Sequence, residues 1–246
     1  MHTCTLHDEF EIVPGDLGDY RRLAPYHYRD GRPSGVTAIF ALKPKEPRGA
    51  LGDRALGVIV YTRPVPTVEL RNRATGNLFK GFDRQTQLAL INRNIRCISR
   101  VIIEPRLRGI GLASRLVRET LGRVNVAIVE AMGVMPRMNP FFEKAGMTAF
   151  RSPVRLEQVE LVEALSLAGI EDRELINPEA VQTKLDALSP SAAEFIEVRV
   201  QQFLKNRRHR RTMLPGLERT RYLLSKLTPR PIYHIWYNPK IDIGIP

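Results

Sequence analysis

Along the first 150 positions, short apolar runs of strand length alternate with stretches whose apolar residues recur three and four apart. The first pattern has the period of a strand and the second that of a helix, so their alternation predicts an α/β layer rather than a bundle or an all-β sandwich. Phe10 to Val13 is the first predicted strand. Asp16 then caps a short helix through Leu23, which Pro25 ends. Val36 to Leu42 and Ala55 to Tyr61 are rich in β-branched residues and predict an antiparallel pair. Residues 64–94 hold Pro64, Pro66, Gly76 and Gly81 among many charges, with one helical piece near Arg84 to Arg93, and read as a long functional loop.

The next stretch is the most legible. Cys97 to Ile103 reads as a strand ended by Pro105, and after Arg106-Leu107-Arg108-Gly109-Ile110-Gly111 comes an amphipathic helix with Leu112, Leu116, Val117 and Leu121 on one side. Val126 to Met132 is another predicted strand. Asn139 is then expected to cap a short helix with Pro140 at its first position and Gly146 at its end, and Met147 to Phe150 returns as a strand. Beyond residue 150 the pattern is helical: Arg155 to Leu167, Glu179 to Leu188 behind Asn177-Pro178, Ser191 to Leu204 behind Ser189-Pro190, and Leu217 to Leu227. Ile196, Val200, Phe203 and Leu204 share one face of the third of these and should pack. Pro231 to Tyr237 reads as a last strand.

Composition narrows the class. No apolar run approaches the roughly 18 residues of a membrane span. The start of the sequence lacks the basic head and apolar centre of a secretory signal, so a cytoplasmic location is the default expectation. Two cysteines, Cys4 and Cys97, are too few for a disulfide framework or a Cys-based metal site, and no metal is expected. His2, Cys4 and His7 have ligand chemistry but sit in a terminus expected to fray. The formal charge is +12, from 38 Lys and Arg against 26 acids, which favours polyanionic partners.

A strand that runs through a basic two-glycine turn into a helix aims free N–H groups and the positive end of the helix dipole at one spot. Such a spot binds phosphate. Glycines at 109 and 111 let a ligand approach the backbone, and Arg106 and Arg108 add charged donors. The turn is not a nucleotide P-loop, because Leu112-Ala113 stands where that motif has Lys-Ser/Thr.

Two segments resemble the GNAT acyltransferase superfamily. Arg106-x-x-Gly109-x-Gly111 behind Val101-Ile102-Ile103 is similar to its Arg/Gln-x-x-Gly-x-Gly/Ala signature. Asn139-Pro140-Phe141-Phe142-Glu143-Lys144-Ala145-Gly146-Met147 resembles its Asn-Pro-x-Tyr-x-Lys-x-Gly-Phe segment. The resemblance implies an α/β fold with a GNAT-like mixed central sheet flanked by helices and a C-terminal helical insertion before the last strand. It divides the chain into an acyl-CoA-binding core over 1–150, a basic helical insertion over 151–229, and a returning strand and tail over 230–246. The implied cofactor is acetyl-CoA or another acyl-CoA. In such enzymes Val101, Ile102 and Ile103 pair with the pantetheine arm, and the amides of Leu107, Arg108, Gly109, Ile110, Gly111, Leu112 and Ala113 hold the pyrophosphate. Asn139 and Phe142 then lie near the thiol.

The catalytic pattern departs from the superfamily. Ser99 stands where a Glu often serves as base, and Phe142 replaces a Tyr that serves as acid. The substitutes in this sequence are His27 and Tyr28 in Tyr26-His27-Tyr28, with His27 able to act as base near neutral pH. Aromatic packing with a solvent-facing His is the competing reading of that cluster. Glu104 and Glu130 are lesser candidates, read as solvated strand-end carboxylates, and Tyr233, His234 and Tyr237 are read as core or edge residues. The same segments look like the GNAT domain found fused to ABC-type ATPases, although no Walker lysine motif is present, and are more distantly similar to Mom-type phage DNA-modification proteins. That last comparison implies modification of adenine in DNA.

The positive charge falls in two stretches. Arg63 to Arg118 has twelve Lys or Arg against three acids, and Arg199 to Arg230 has ten against one. The second contains Lys205, Arg207, Arg208, Arg210 and Arg211, a run suited to several phosphates of DNA or RNA or to a solvated basic face. The expected function is acyl-CoA-dependent N-acyltransfer to an amine on or near nucleic acid. A CoA-binding or nucleic-acid-binding module without turnover is the alternative.

Overall fold

The structure is a computed structural model that describes residues 8–27, 31–46, 52–133, 139–152, 155–205, 207, 210–227 and 231–244. Two compact units emerge, residues 1–151 with 231–246, and residues 152–230.

In the first unit the described strands form one mixed sheet, ordered β1-β2-β3-β4-β5-β7-β6. They are β1 (Phe10–Pro14), β2 (Val36–Pro44), β3 (Gly57–Thr62), β4 (Ile95–Ile103), β5 (Ile128–Gly133), β6 (Thr148–Phe150) and β7 (Ile232–Tyr237). Only β4 and β5 pair in parallel; the other described neighbours are antiparallel. The last strand of the sequence returns between β5 and β6.

Alternation along the strands divides the core between two faces. Phe40 and Leu42, Ile59 and Tyr61, and Ile98 point to one face, covered by α4 (Leu112–Thr120) and α5 (Phe141–Lys144). Ile39 and Ala41, Val58 and Val60, and Ile102 point to the other, covered by α1 (Leu17–Leu23). Asp16 starts α1 through a capping box, its carboxylate accepting from the Asp19 N–H while Asp19 accepts from the Asp16 N–H. Pro25 does not end the helical course at once; it opens a single 3-10 turn, Ala24–Tyr26.

Residues 64–94 correct the loop expectation. They carry α2 (Glu69–Ala74) and α3 (Arg84–Asn94), and Val68, Phe79, Leu90 and Ile91 pack on Ile95, Ile128, Tyr233 and Ile235. Arg71 fixes the segment. Its side chain is 1% exposed and binds both oxygens of Glu130 on β5 at 2.7 Å, and it also donates to the carbonyls of Val65 and Pro66. The Tyr233 hydroxyl donates to the same carboxylate at 2.8 Å. Burial alone would lower the Arg71 pKa, yet the Glu130 hydrogen bonds and charge hold it above its ordinary value. This segment is a packed layer because a buried ion pair locks it.

The second unit contains α6 (Leu156–Leu167), α7 (Pro178–Asp186), α8 (Pro190–Leu204) and α9 (Leu217–Leu227). Asn177 and Ser189 cap α7 and α8 by accepting from Ala180 and Ala192 N–H groups, with a proline at the first helical position of each. Ile196, Val200, Phe203 and Leu204 are buried with Leu161, Leu165 and Leu224 in its core. Arg219 on α9 grips both oxygens of Glu197 on α8 at 2.8 and 2.6 Å. Among the described residues no helix is long and apolar enough to cross a membrane.

Candidate functional site

The site begins with one extra residue. The register between β3 and β4 runs Val60↔Arg100 and then Tyr61↔Ile98, so Ser99 bulges from the ladder. The Ser99 hydroxyl donates to the Val60 carbonyl at 3.1 Å and secures the bulge. Because of this shift Ile98 and Val101, three apart, share a face. The bulge also marks where β4 leaves β5: their pairing ends at Ile98↔Ala131, while β3 follows β4 to Ile103. From Ser99 to Ile103, the side of β4 turned toward β5 therefore has no described strand beside it. A cleft of about 350 Å³ opens there, lined by β4 from Ile98 to Ile103 and by Met132 and Gly133. An extended ligand with amide groups suits such an edge.

The glycine turn closes one end of the cleft. Leu107 and Arg108 N–H groups are engaged in a 3-10 turn, donating to Glu104 and Pro105 carbonyls. Of the amides expected to hold phosphate, the first two are thus occupied and the focus moves onto the helix start. Gly109 and Gly111 have φ of +86° and +90°, the left-handed region that glycine enters freely. Gly111 is the N-cap of α4 and brings no side chain, so the first-turn N–H groups of Leu112, Ala113 and Ser114 meet no intrahelical acceptor. Leu107, Arg108, Gly109, Gly111, Leu112, Ala113 and Ser114 all line the cleft. Arg106 and Ile110 do not: Arg106 is bound to Glu104, and Ile110 packs on the core.

The wall on the α1 face comes from Tyr26, half-buried His27 and Arg100. Arg108 fastens this wall to the strand end, donating to the Ile103 and Tyr26 carbonyls at 3.0 Å each. Its guanidinium serves the scaffold more than a phosphate. Arg100 is 7% exposed, donates to Ser99 and Gly31 carbonyls at 2.8 and 3.3 Å, and has an Nε without a hydrogen-bond partner. Tyr28 lies outside the described residues. Because Ser99 directs its one hydroxyl hydrogen to Val60, it is placed to shape the bulge rather than to give a proton.

On the opposite wall Asn139, Phe141, Phe142 and Lys144 line the cleft. The expected Asn139 cap is corrected: the N-cap of α5 is Pro140, with no side-chain cap bond, and the Asn139 carbonyl accepts from Phe141. The Phe142 ring stacks at 4.2 Å on Phe141 and at 5.0 Å on His234. His234 is fully buried, neither ring nitrogen has a hydrogen-bond partner, and burial pushes its pKa down to about 4. Glu104 and Glu130 are not solvated, as the sequence reading had them; both are buried in ion pairs, and Glu130, like Tyr233, belongs to the Arg71 clamp. The Tyr237 hydroxyl donates to the Ala74 carbonyl. Glu104, Glu130, Tyr233, His234 and Tyr237 are all absent from the cleft lining.

Several cations of the basic stretches have partners within the fold. Arg115 pairs with Glu119 and reaches the Phe10 carbonyl, and Arg118 donates to the Lys144 carbonyl. In the second unit Arg207 lies 3.8 Å over the Phe203 ring and donates to the Phe203 carbonyl, and Arg210 lies over Tyr222. Lys205, Arg210 and Arg211 are exposed. Arg208, His2, Cys4 and His7 lie outside the described residues, among which no group of three metal-ligating side chains occurs.

No protein-family model matches the chain, and no curated protein matches it. Among solved structures, Arabidopsis thaliana NAA60 in complex with acetyl-CoA matches over 58% of this chain and 88% of its own, at 12% identity and a TM-score of 0.41. A point mutant of agmatine N-acetyltransferase in its apo form matches over 58% of this chain and 86% of its own, at 13% identity and a TM-score of 0.35.

Proposed function

We propose that this protein is an acyl-CoA-dependent N-acyltransferase of the GNAT type, with acetyl-CoA as the expected donor. The observation that carries this reading is the splayed β4/β5 edge running into the left-handed Gly109/Gly111 turn at the start of α4. The residues fit the cofactor: a bare strand edge for an extended amide chain, three first-turn amides for a pyrophosphate, and the Phe142 ring beside the cleft. Bound acyl-CoA supplies the activated thioester. His27 would take the proton that the acceptor nitrogen loses as its new amide bond forms, and water at the open mouth would supply the proton that the released thiol needs. The cleft lining holds Phe142 where a tyrosine acid would stand, which favours that solvent route.

The test is calorimetry with acetyl-CoA followed by thiol release with amine acceptors. Binding with turnover supports the reading; binding without thiol release for any acceptor favours a non-catalytic module. His27→Ala with unchanged turnover removes the assigned base. The exposed Lys205, Arg210 and Arg211 favour a nucleic-acid surface on the second unit. Retention on DNA or RNA that is lost at high salt, and lost when these three residues become Ala, supports this surface. A mass change on adenine in DNA from expressing cells would redirect the reading toward base modification.

A further inference from the structure

Arg100 stands apart from the other cations of the cleft. Lys144 lies on the α4/α5 side with the glycine turn, and Arg108 is tied to two backbone carbonyls. Arg100 is on the opposite face: its ladder partner Val60 packs with Tyr20 and Leu23 of α1, the helix that leads into His27. Two carbonyls take some of its N–H groups, Nε has no partner, and no carboxylate among the described residues pairs with it. Buried guanidinium groups are ordinarily paired with anions, as Arg71 is with Glu130 in this same sheet. Among the described residues no Asp or Glu lines the cleft, so a polycationic acceptor meets no described carboxylate there for its second charge.

We propose that Arg100 is a specificity residue that reads an oxyanion, a carboxylate or a phosphate, carried by the acceptor amine. The proposal rests on the acyltransferase reading and names the substrate class for it: amines that also bear a negative group. The planar guanidinium suits two parallel hydrogen bonds to such a group. The oxyanion supplies a counter-charge that no described residue gives Arg100, on the His27 side of the cleft, where an acceptor nitrogen would be deprotonated.

The full-length protein with acetyl-CoA is tested by thiol release on two pairs of amines: tyrosine against tyramine, and O-phosphoethanolamine against ethanolamine. The expected result is a kcat/KM advantage of about tenfold or more for an oxyanion-bearing member, expressed mainly in KM. The pair that shows it identifies carboxylate or phosphate. Arg100→Gln should erase the advantage, bringing the kcat/KM ratio within each pair down to within about threefold of unity. A role confined to holding the Gly31 segment predicts instead an equal fall for all acceptors, which would overturn the proposal. So would the absence of a preference in the wild type, a measurement that stands even where Arg100→Gln does not fold. A gain seen only with succinyl-CoA and an oxyanion-free amine would move the oxyanion to the acyl chain and overturn the acceptor assignment. If acetyl-CoA binds but neither oxyanion-bearing amine is turned over, this proposal fails alone; if acetyl-CoA does not bind, the acyltransferase reading fails beneath it.

Discussion

Arg71 and Arg100 are buried against the same sheet, and their surroundings differ in kind. At the closed end of the β4/β5 pair, Arg71 meets a carboxylate with both arms, two carbonyls and, through Glu130, a tyrosine hydroxyl. At the open end, just past the Ser99 bulge, Arg100 meets two carbonyls and no acid among the described residues. A satisfied network of the first sort holds a layer in place. An incompletely satisfied cation beside a cleft is the mark of a site that a ligand completes. The bulge separates the two behaviours, since it ends the parallel ladder and bends β4 away from β5.

Removing one partner at the closed end gives the largest effect. Glu130→Ala strands a buried guanidinium and should cost about 3–5 kcal/mol in urea unfolding. A loss under about 1 kcal/mol would mean that the two ends do not differ as described. Next comes His234, buried like Arg71 but without a hydrogen-bond partner. Its folded pKa of about 4 lies below the ordinary 6.5, so the unfolded chain binds more protons between those values. Stability from this group is complete above about pH 6.5 and falls by about 2–3 kcal/mol as pH drops toward 4. Denaturant midpoints across that range should show the slope in the wild type and lose it in His234→Leu.

At the glycine turn, Gly109→Ala forces a side chain into φ +86°, with open space around the added methyl, so its cost is conformational, about 1–2 kcal/mol. Thermal unfolding measures that cost. The smallest stability change is expected for Arg100→Gln, within about 1 kcal/mol, because no buried carboxylate is left stranded. A cost as large as that of Glu130→Ala would make Arg100 a second structural clamp.

The elements that position the cleft were legible because their signals are local. Alternation in the strands, Asp16 at the start of α1, and glycines at 109 and 111 each act within a few residues. What escaped depends on partners distant in sequence. Glu130 looked solvated until Arg71, 59 residues away, was brought onto it, and residues 64–94 looked like a loop for the same reason. The bulge did leave a trace: Ile98 and Val101 are three apart in a strand, which breaks the period of two. Arg100 carried a weaker sign, a charge inside the strand run Cys97 to Ile103. That no described acid pairs with it is a property of the packed sheet, not of the local sequence.

If the splayed strands and the glycine turn form an acyl-CoA site, titration calorimetry of acetyl-CoA into the wild type and Gly109→Glu reads it out. Saturable binding is expected of the wild type, with its loss in a Gly109→Glu protein that still unfolds cooperatively. No binding by the wild type, or equal binding by both proteins, would contradict it.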